Sequence, residues 1–328
     1  MKYQRHQIIN FIVALVVVAV GVIIIMISVL LKQHLEGQVA DGITDSFEPE
    51  QPPRHLRPQL PAFESLVART KTDFIDLQPV LDQWLSTLSS STNVGVIIYD
   101  LTNSKVAASF QADRVFEVAS VYKLLFAYDG YHQIALGADR GEDFYTHTSE
   151  KGDLTLYQCL DLTIRESYNG CADQLASDAN RRSRVSALVR SLGMSNTSKT
   201  GLTSTASDLT KLLRYYWRHS NLTPSLWARL ADSMLVQPPT QISETETYDW
   251  RQGLPAGFSE QVQVYDKVGW AWNAENQVWD VYAEAAILEF VDSKHVYTMA
   301  VLTQNLPHYH KISELGQMVE SAVLTAKE

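Results

Sequence analysis

The sequence predicts an α+β domain of two lobes, set behind an N-terminal segment of a different kind. Three observations carry this. Strand-like apolar runs occur near both ends of the folded part, at 93–110 and again at 262–303. The stretch between them is mostly helical in pattern, with apolar residues recurring every three or four positions. An uncharged apolar run, Ile8 to Leu31, stands ahead of everything else. The arrangement implies one antiparallel sheet built from both chain ends and flanked by helices. An all-helical lobe is inserted between the two ends, and a cleft forms where the lobes meet.

The chain has 328 residues, enough for one large domain with a sizeable core. Lys and Arg number 27 against 37 Asp and Glu, a formal net charge of -10. Such a balance argues against a sequence-independent nucleic-acid binder. The two cysteines, Cys159 and Cys171, match no common zinc spacing, and no metal or cofactor is expected.

Ile8 to Leu31 is interrupted only by Asn10, Gly21 and Ser28. As a helix it would measure about 36 Å, enough to cross a hydrocarbon core with some tilt. No face of it is polar, which argues against a buried soluble helix. Lys2 and Arg5 precede the run, so residues 1–7 are expected in the cytoplasm and all that follows outside it. Residues 32–62 read as a linker. Pro49, Pro52, Pro53, Pro58 and Pro61 crowd its second half and favour an extended chain. Residues 63–328 are then the folded, extracytoplasmic domain, held away from the membrane.

Within that domain a first helix is expected from Pro79 to Leu88, with proline suited to its opening position. Asn93 to Leu101 and Lys105 to Phe110 read as a strand pair around a turn at 102–104. A helix follows from Ser120 to near Gly137. Thr155 and Gln158 fit a capping box opening the next one. That helix runs toward Arg165, Gly170 breaks the pattern, and another helix starts near Cys171. Further helices are expected around 184–192, 206–218 and 225–235. Strands return at 262–267, 281–290 and 295–303, and a last helix covers 312–326.

Three short motifs could meet in the cleft. Ser120-Val121-Tyr122-Lys123 places a serine and a lysine three apart, so on a helix they share a face. The serine sits at the helix's positive end, and a lysine of lowered pKa can take its proton. Alone, that pattern is better read as a helix N-cap serine followed by a surface lysine. Ser167-Tyr168-Asn169 lies on the turn between two helices. Lys267-Val268-Gly269 ends the first late strand.

In order and spacing, the three motifs resemble the S-x-x-K, S-D-N and K-T-G motifs of class A β-lactamases and penicillin-binding proteins. The resemblance covers roughly residues 70–328. It implies a β-lactamase-like fold and a serine hydrolase working through an acyl-enzyme on an amide or ester. A β-lactam or cell-wall peptide is the substrate class it suggests. By resemblance Ser120 is the nucleophile, Lys123 its base, and Ser167 the relay to the leaving nitrogen. Asn169 would hold a substrate amide, and Lys267 would favour a substrate carboxylate. Gly269 completes the third motif, and the N–H groups of Ser120 and Trp270 would form the oxyanion hole.

The departures point elsewhere. Tyr168 stands where class A enzymes have aspartate, and Val268 replaces threonine, removing a hydroxyl. Gly193 to Ser204, where the family's deacylating glutamate would fall, contains no Asp or Glu. Glu166 adjoins Ser167 and is expected to face solvent or pair with an arginine. A long-lived acyl-enzyme therefore stays open, as does a catalytically weak penicillin-binding or sensing protein of the same fold. A literal K-T-G at Lys199-Thr200-Gly201 lies between helices with no strand around it and reads as a decoy. Cys159 and Cys171 flank the second motif. Outside the cytoplasm they could form a disulfide bracing that turn, or remain two small buried thiols.

Overall fold

The protein is described from a computed structural model over residues 73–198, 200–218, 221–235, 240–241, 247–248, 253–273, 278–306 and 308–326. No helix among these residues is long and apolar enough to cross a membrane. The expected span at 8–31 and the linker at 32–62 lie outside the described residues.

Helix α1 (Gln78–Leu85) opens the domain. Strands β1 (Asn93–Asp100), β2 (Lys105–Phe110) and the two-residue β3 (Phe116–Glu117) follow. A 3₁₀ turn, Ala119–Tyr122, runs directly into α2 (Lys123–Ala135). The hairpin β4 (Phe144–Thr148) and β5 (Gly152–Thr155) leads to α3 (Leu156–Arg165), α4 (Asn169–Ser177) and α5 (Ala179–Ser191). Next come β6 (Thr203–Ser204), α6 (Ala206–Trp217), α7 (Pro224–Leu235), β7 (Thr240–Gln241) and β8 (Thr247–Tyr248). The long strands β9 (Val262–Asn273), β10 (Val278–Phe290) and β11 (Val296–Gln304) precede the closing helix α8 (His310–Thr325).

The main sheet has the order β2-β1-β11-β10-β9 and is antiparallel throughout. Both chain ends supply it, as the sequence implies. All but the first residue of β1 is buried, because the sheet is covered on both faces. Val94, Val96 and Ile98 pack with Leu81, Trp84, Leu315 and Val319 from α1 and α8. Ile97 and Tyr99 face the other way, into the core shared with the helical lobe. The period-two alternation of a strand assigns each residue to one core or the other. The Trp84 indole Nε1 donates to the Lys311 carbonyl at 2.7 Å and ties α1 to α8.

In the helical lobe α2 is buried on nearly every side. Its mid-helix Asp129 is 4% exposed and needs compensation. Arg181 and Arg184 of α5 donate to it at 3.0 and 2.8 Å, locking α2 to α5. Helix α5 starts at Ala179, earlier than the apolar pattern suggests. Its cap is Asp178, whose carboxylate accepts from the N–H groups of Asn180 and Arg181. The Thr155–Gln158 capping box forms as expected, with both reciprocal hydrogen bonds. The β4–β5 hairpin and the extension of β9 through Asn273 are absent from the sequence reading.

Candidate active site

Ser120 lies in the 3₁₀ turn between β3 and α2. The turn is held on one side by the loop 193–204: Val118 N–H donates to the Leu202 carbonyl at 3.0 Å, and β3 pairs with β6. On the other side it meets β9. Gly269 packs so closely there that a Cβ would strike the Val118 carbonyl and stand 2.8 Å from the Ser120 nitrogen. Glycine is required by that approach, which brings the 269–270 backbone beside the Ser120 N–H. Strand β9 is an edge of the main sheet, so one of its sides is unpaired within that sheet.

Two residues next to the chemistry hold left-handed backbone angles without being glycine. Ala119, just before Ser120, has φ 42°, and Ser167 has φ 54°. Each such conformation costs about 1–2 kcal/mol, and surrounding structure must impose it.

Lys123 is 1% exposed. Its ammonium donates to the Ser167 carbonyl, to Ser167 Oγ at 3.1 Å and to Asn169 Oδ1 at 2.7 Å. All three donors are thus used, and none goes to Ser120. Burial lowers the Lys123 pKa to about 8, against an opposing pull from Asp173. Lys267 is 0% exposed and donates to the same Ser167 Oγ at 3.1 Å and to the Val268 carbonyl at 2.8 Å. Burial, then the nearby Lys123 charge, hold its pKa well below the ordinary lysine value. Asp266 and Glu284 partly offset this. The Ser167 hydroxyl therefore bridges two amines of weakened basicity. That geometry can move a proton from one nitrogen, through an oxygen, to a substrate atom.

The structure brings Lys123, Ser167, Asn169 and Lys267 together and sets Gly269 against the Ser120 turn. Val268 is buried with Trp270 and Tyr309, on the opposite strand face from Lys267. Cys159 and Cys171 are bonded, joining α3 to α4 across the turn that carries Ser167 and Asn169. Glu166 is a correction in part: its partner is a lysine, Lys151 at 2.9 Å, and not an arginine, and it is partly buried. The β4–β5 hairpin, absent from the sequence reading, brings Lys151 there. Of the literal K-T-G, Lys199 is outside the described residues. Gly201 packs on Tyr122 and Leu125 beside the Ser120 turn, away from Lys267's strand. The short β6 begins two residues later, so the segment is not wholly strand-free.

Sequence reasoning missed a carboxyl pair behind Lys267. Asp266 pairs with Ala286, and Glu284 with Val268, in the β9–β10 register. The two acids are diagonal neighbours on the face away from Lys267. Glu284 accepts from the Leu254 N–H at 2.7 Å. Burial raises the Asp266 pKa to about 7, with Lys267 opposing. Burial, reinforced by Asp266, raises Glu284 well above the carboxylate range. The available signal was an acid directly before the motif lysine. Among the described residues no group of His, Cys, Asp and Glu is placed to hold a metal ion.

A family model described as the β-lactamase enzyme family matches residues 79–323. No curated protein matches. Among solved structures, PBP-A superposes with a TM-score of 0.62 at 16% identity, over 78% of this chain and 100% of its own. A representative class A β-lactamase from Bacteroides cellulosilyticus DSM 14838 gives 0.64 at 17% identity, over 77% and 100%. A β-lactamase from Chitinophaga pinensis DSM 2588 gives 0.62 at 16%, over 74% and 97%. At these identities the structural likeness is one of fold.

Proposed function

The chain belongs to the β-lactamase enzyme family, and from that premise we propose that it is a membrane-anchored, extracytoplasmic serine hydrolase. It acts through a Ser120 acyl-enzyme on an amide or ester, of β-lactam or cell-wall peptide type. Residues 8–31 are its anchor and 32–62 its spacer. The observation that carries the reading is the shared Ser167 hydroxyl, held at 3.1 Å from both Lys123 and Lys267.

In this mechanism Ser120 Oγ attacks the carbonyl carbon while its proton passes to the neutral Lys123 amine. A C–O bond forms, and the carbonyl electron pair moves onto oxygen, opposite the N–H groups of Ser120 and Trp270. When the oxyanion collapses, the bond to the leaving nitrogen or oxygen breaks. Ser167 gives that atom its proton and is resupplied by Lys123. Water later attacks the ester carbon, and Ser120 Oγ leaves with a proton. The Lys123 charge lowers the Lys267 pKa, so the pair disfavours two positive charges at once. Asn169, bonded to Lys123 through Oδ1, has its amide N–H₂ left to meet a substrate carbonyl.

The test is hydrolysis of a chromogenic depsipeptide ester by the wild-type chain and by Ser120→Ala and Lys123→Ala. Both variants should lose activity by on the order of 10³-fold or more. Undiminished hydrolysis by Ser120→Ala would end the proposal.

A second reading, a penicillin-binding or sensing protein that acylates and turns over slowly, is favoured by the acid-free loop 193–204. PBP-A, a structural neighbour, has been solved as a point mutant in an acyl-enzyme complex with penicillin G. Rapid multiple turnover would exclude this second reading.

A further inference from the structure

Loop 193–204 offers no acid, yet an acid on α4 does act on Lys123. Asp173 lies on α4 four residues after Asn169. Positions four apart share a helix face, with Cβ atoms about 5–6 Å apart. Asn169 Oδ1 is 2.7 Å from the Lys123 ammonium, so Asp173 lies one helical turn beyond the residue that meets that amine. It is exposed, and it makes no hydrogen bond or ion pair with any described residue. No cap, bridge or core contact accounts for it. Its charge is felt by two groups, Lys123 and Tyr122, on the turn opposite α4.

We propose that Asp173 is a positioning residue of the acyl-transfer site, whose carboxylate sets how readily Lys123 changes charge. The proposal rests on the reading of Lys123 as the base. The groups facing the amine can be named. Ser167, Asn169 and Asp173 come from the turn and α4, and Lys267 comes from β9. Asp266 and Glu284 act on Lys267 from the far face of the sheet. Among the described residues, Asp173 is the cleft-side carboxylate that acts on Lys123, and it opposes the effect of burial. Its removal should leave the amine neutral to lower pH. A base held too acidic is a poor proton acceptor, so the carboxylate keeps Lys123 strong enough to accept the serine proton and still able to return it.

The sign makes the test distinctive, because a structural loss would slow the enzyme at every pH. Acylation of the full chain by penicillin G is followed against pH for wild type, Asp173→Asn and Asp173→Glu. Asp173→Asn should acylate roughly three- to tenfold faster on the acid limb, as expected for one charge lost about a helical turn away, and no faster on the plateau. Asp173→Glu should restore the wild-type limb, and added salt should shrink the difference. A limb that does not move overturns the proposal. Titration of Lys123 by ¹³Cε-lysine NMR, assigned with Lys123→Arg, reads the same effect without chemistry. Its midpoint should fall in Asp173→Asn, and an unchanged midpoint refutes Asp173's role. Absence of any adduct would sink the acyl-transfer reading, while the NMR midpoint would still decide Asp173.

Discussion

The two flanks of Ser120 are built unequally. On one flank Lys123, Ser167, Asn169 and Lys267 converge from three separate segments, with hydrogen bonds of 2.7–3.1 Å among them. Both amines are buried, and both backbone conformations next to the serines are strained. On the other flank loop 193–204 is a compact turn that satisfies itself. Ser198 N–H donates to the Thr203 carbonyl at 2.9 Å and Gly201 N–H to the Ser198 carbonyl at 2.8 Å. Asp208 of α6 grips it from behind, accepting from Asn196 N–H at 2.9 Å and Thr197 Oγ1 at 3.0 Å. On the proposed reading, the first flank holds the groups that would make and break an acyl bond. The second, residues 193–204, offers hydroxyls and amides and no carboxylate of its own. The contrast teaches that, on the proposed reading, forming an acyl-enzyme and releasing it would be separable, because different segments would carry the two steps.

The hardest test of the first flank is Gly269→Ala. Its Cβ would displace the Ser120 turn from β9. The folded chain should lose on the order of 10²–10³-fold in acylation rate, the usual effect of misplacing an oxyanion donor. A folded Gly269→Ala protein with full activity would show that β9 does not shape the site.

The pH profile comes next. Lys123 must be neutral to accept a proton, and its pKa lies at about 8. Acylation should therefore rise about tenfold per pH unit below that value and level off above it. Stopped-flow acylation would check this. A flat profile between pH 6 and 8 would remove Lys123 as the base.

The second flank is sharpened by supplying what it lacks. Leu202 is 45% exposed, and its carbonyl is bonded to Val118, two residues before Ser120. Leu202→Glu should shorten the lifetime of the acyl-enzyme, by on the order of 10²-fold at the low end of general-base effects, without changing its rate of formation. If formation falls and lifetime does not, the flanks are coupled and the contrast is wrong.

The smallest kinetic effect is expected from the bridge behind the first flank. Cys159 and Cys171 are 12 residues apart in sequence. Replacing both by alanine should cost about 2–4 kcal/mol of stability, seen in denaturant unfolding. Acylation should drop only severalfold, through a looser Ser167–Asn169 turn.

What was legible in the sequence follows from this geometry. Ser120, Lys123, Ser167, Asn169 and Lys267 stood out because their chemistry needs polar types at fixed short spacings. The sheet was legible in β1 and β11, whose apolar runs mark strands buried on both faces. The β4–β5 hairpin was not, because only Leu154 of its nine residues is buried and no apolar alternation marks it. The end of β9 was hidden by Gly269, a poor strand former that is present for a close approach. Asp266 and Glu284 were invisible as a pair, since register across a hairpin brings them together and sequence distance does not. Asp173 belongs to none of the three motifs, and only the placement of Asn169 on Lys123 brings it to notice.

The central claim is tested most directly by the intact mass of the protein after incubation with penicillin G, with Ser120→Ala treated in parallel. A lasting adduct of one drug molecule on the wild type, and none on Ser120→Ala, is the predicted result. Intact drug with no adduct at any time would contradict the account, because the acylating flank would then be without a reaction. An adduct of equal yield on Ser120→Ala would contradict it equally, by placing the nucleophile elsewhere.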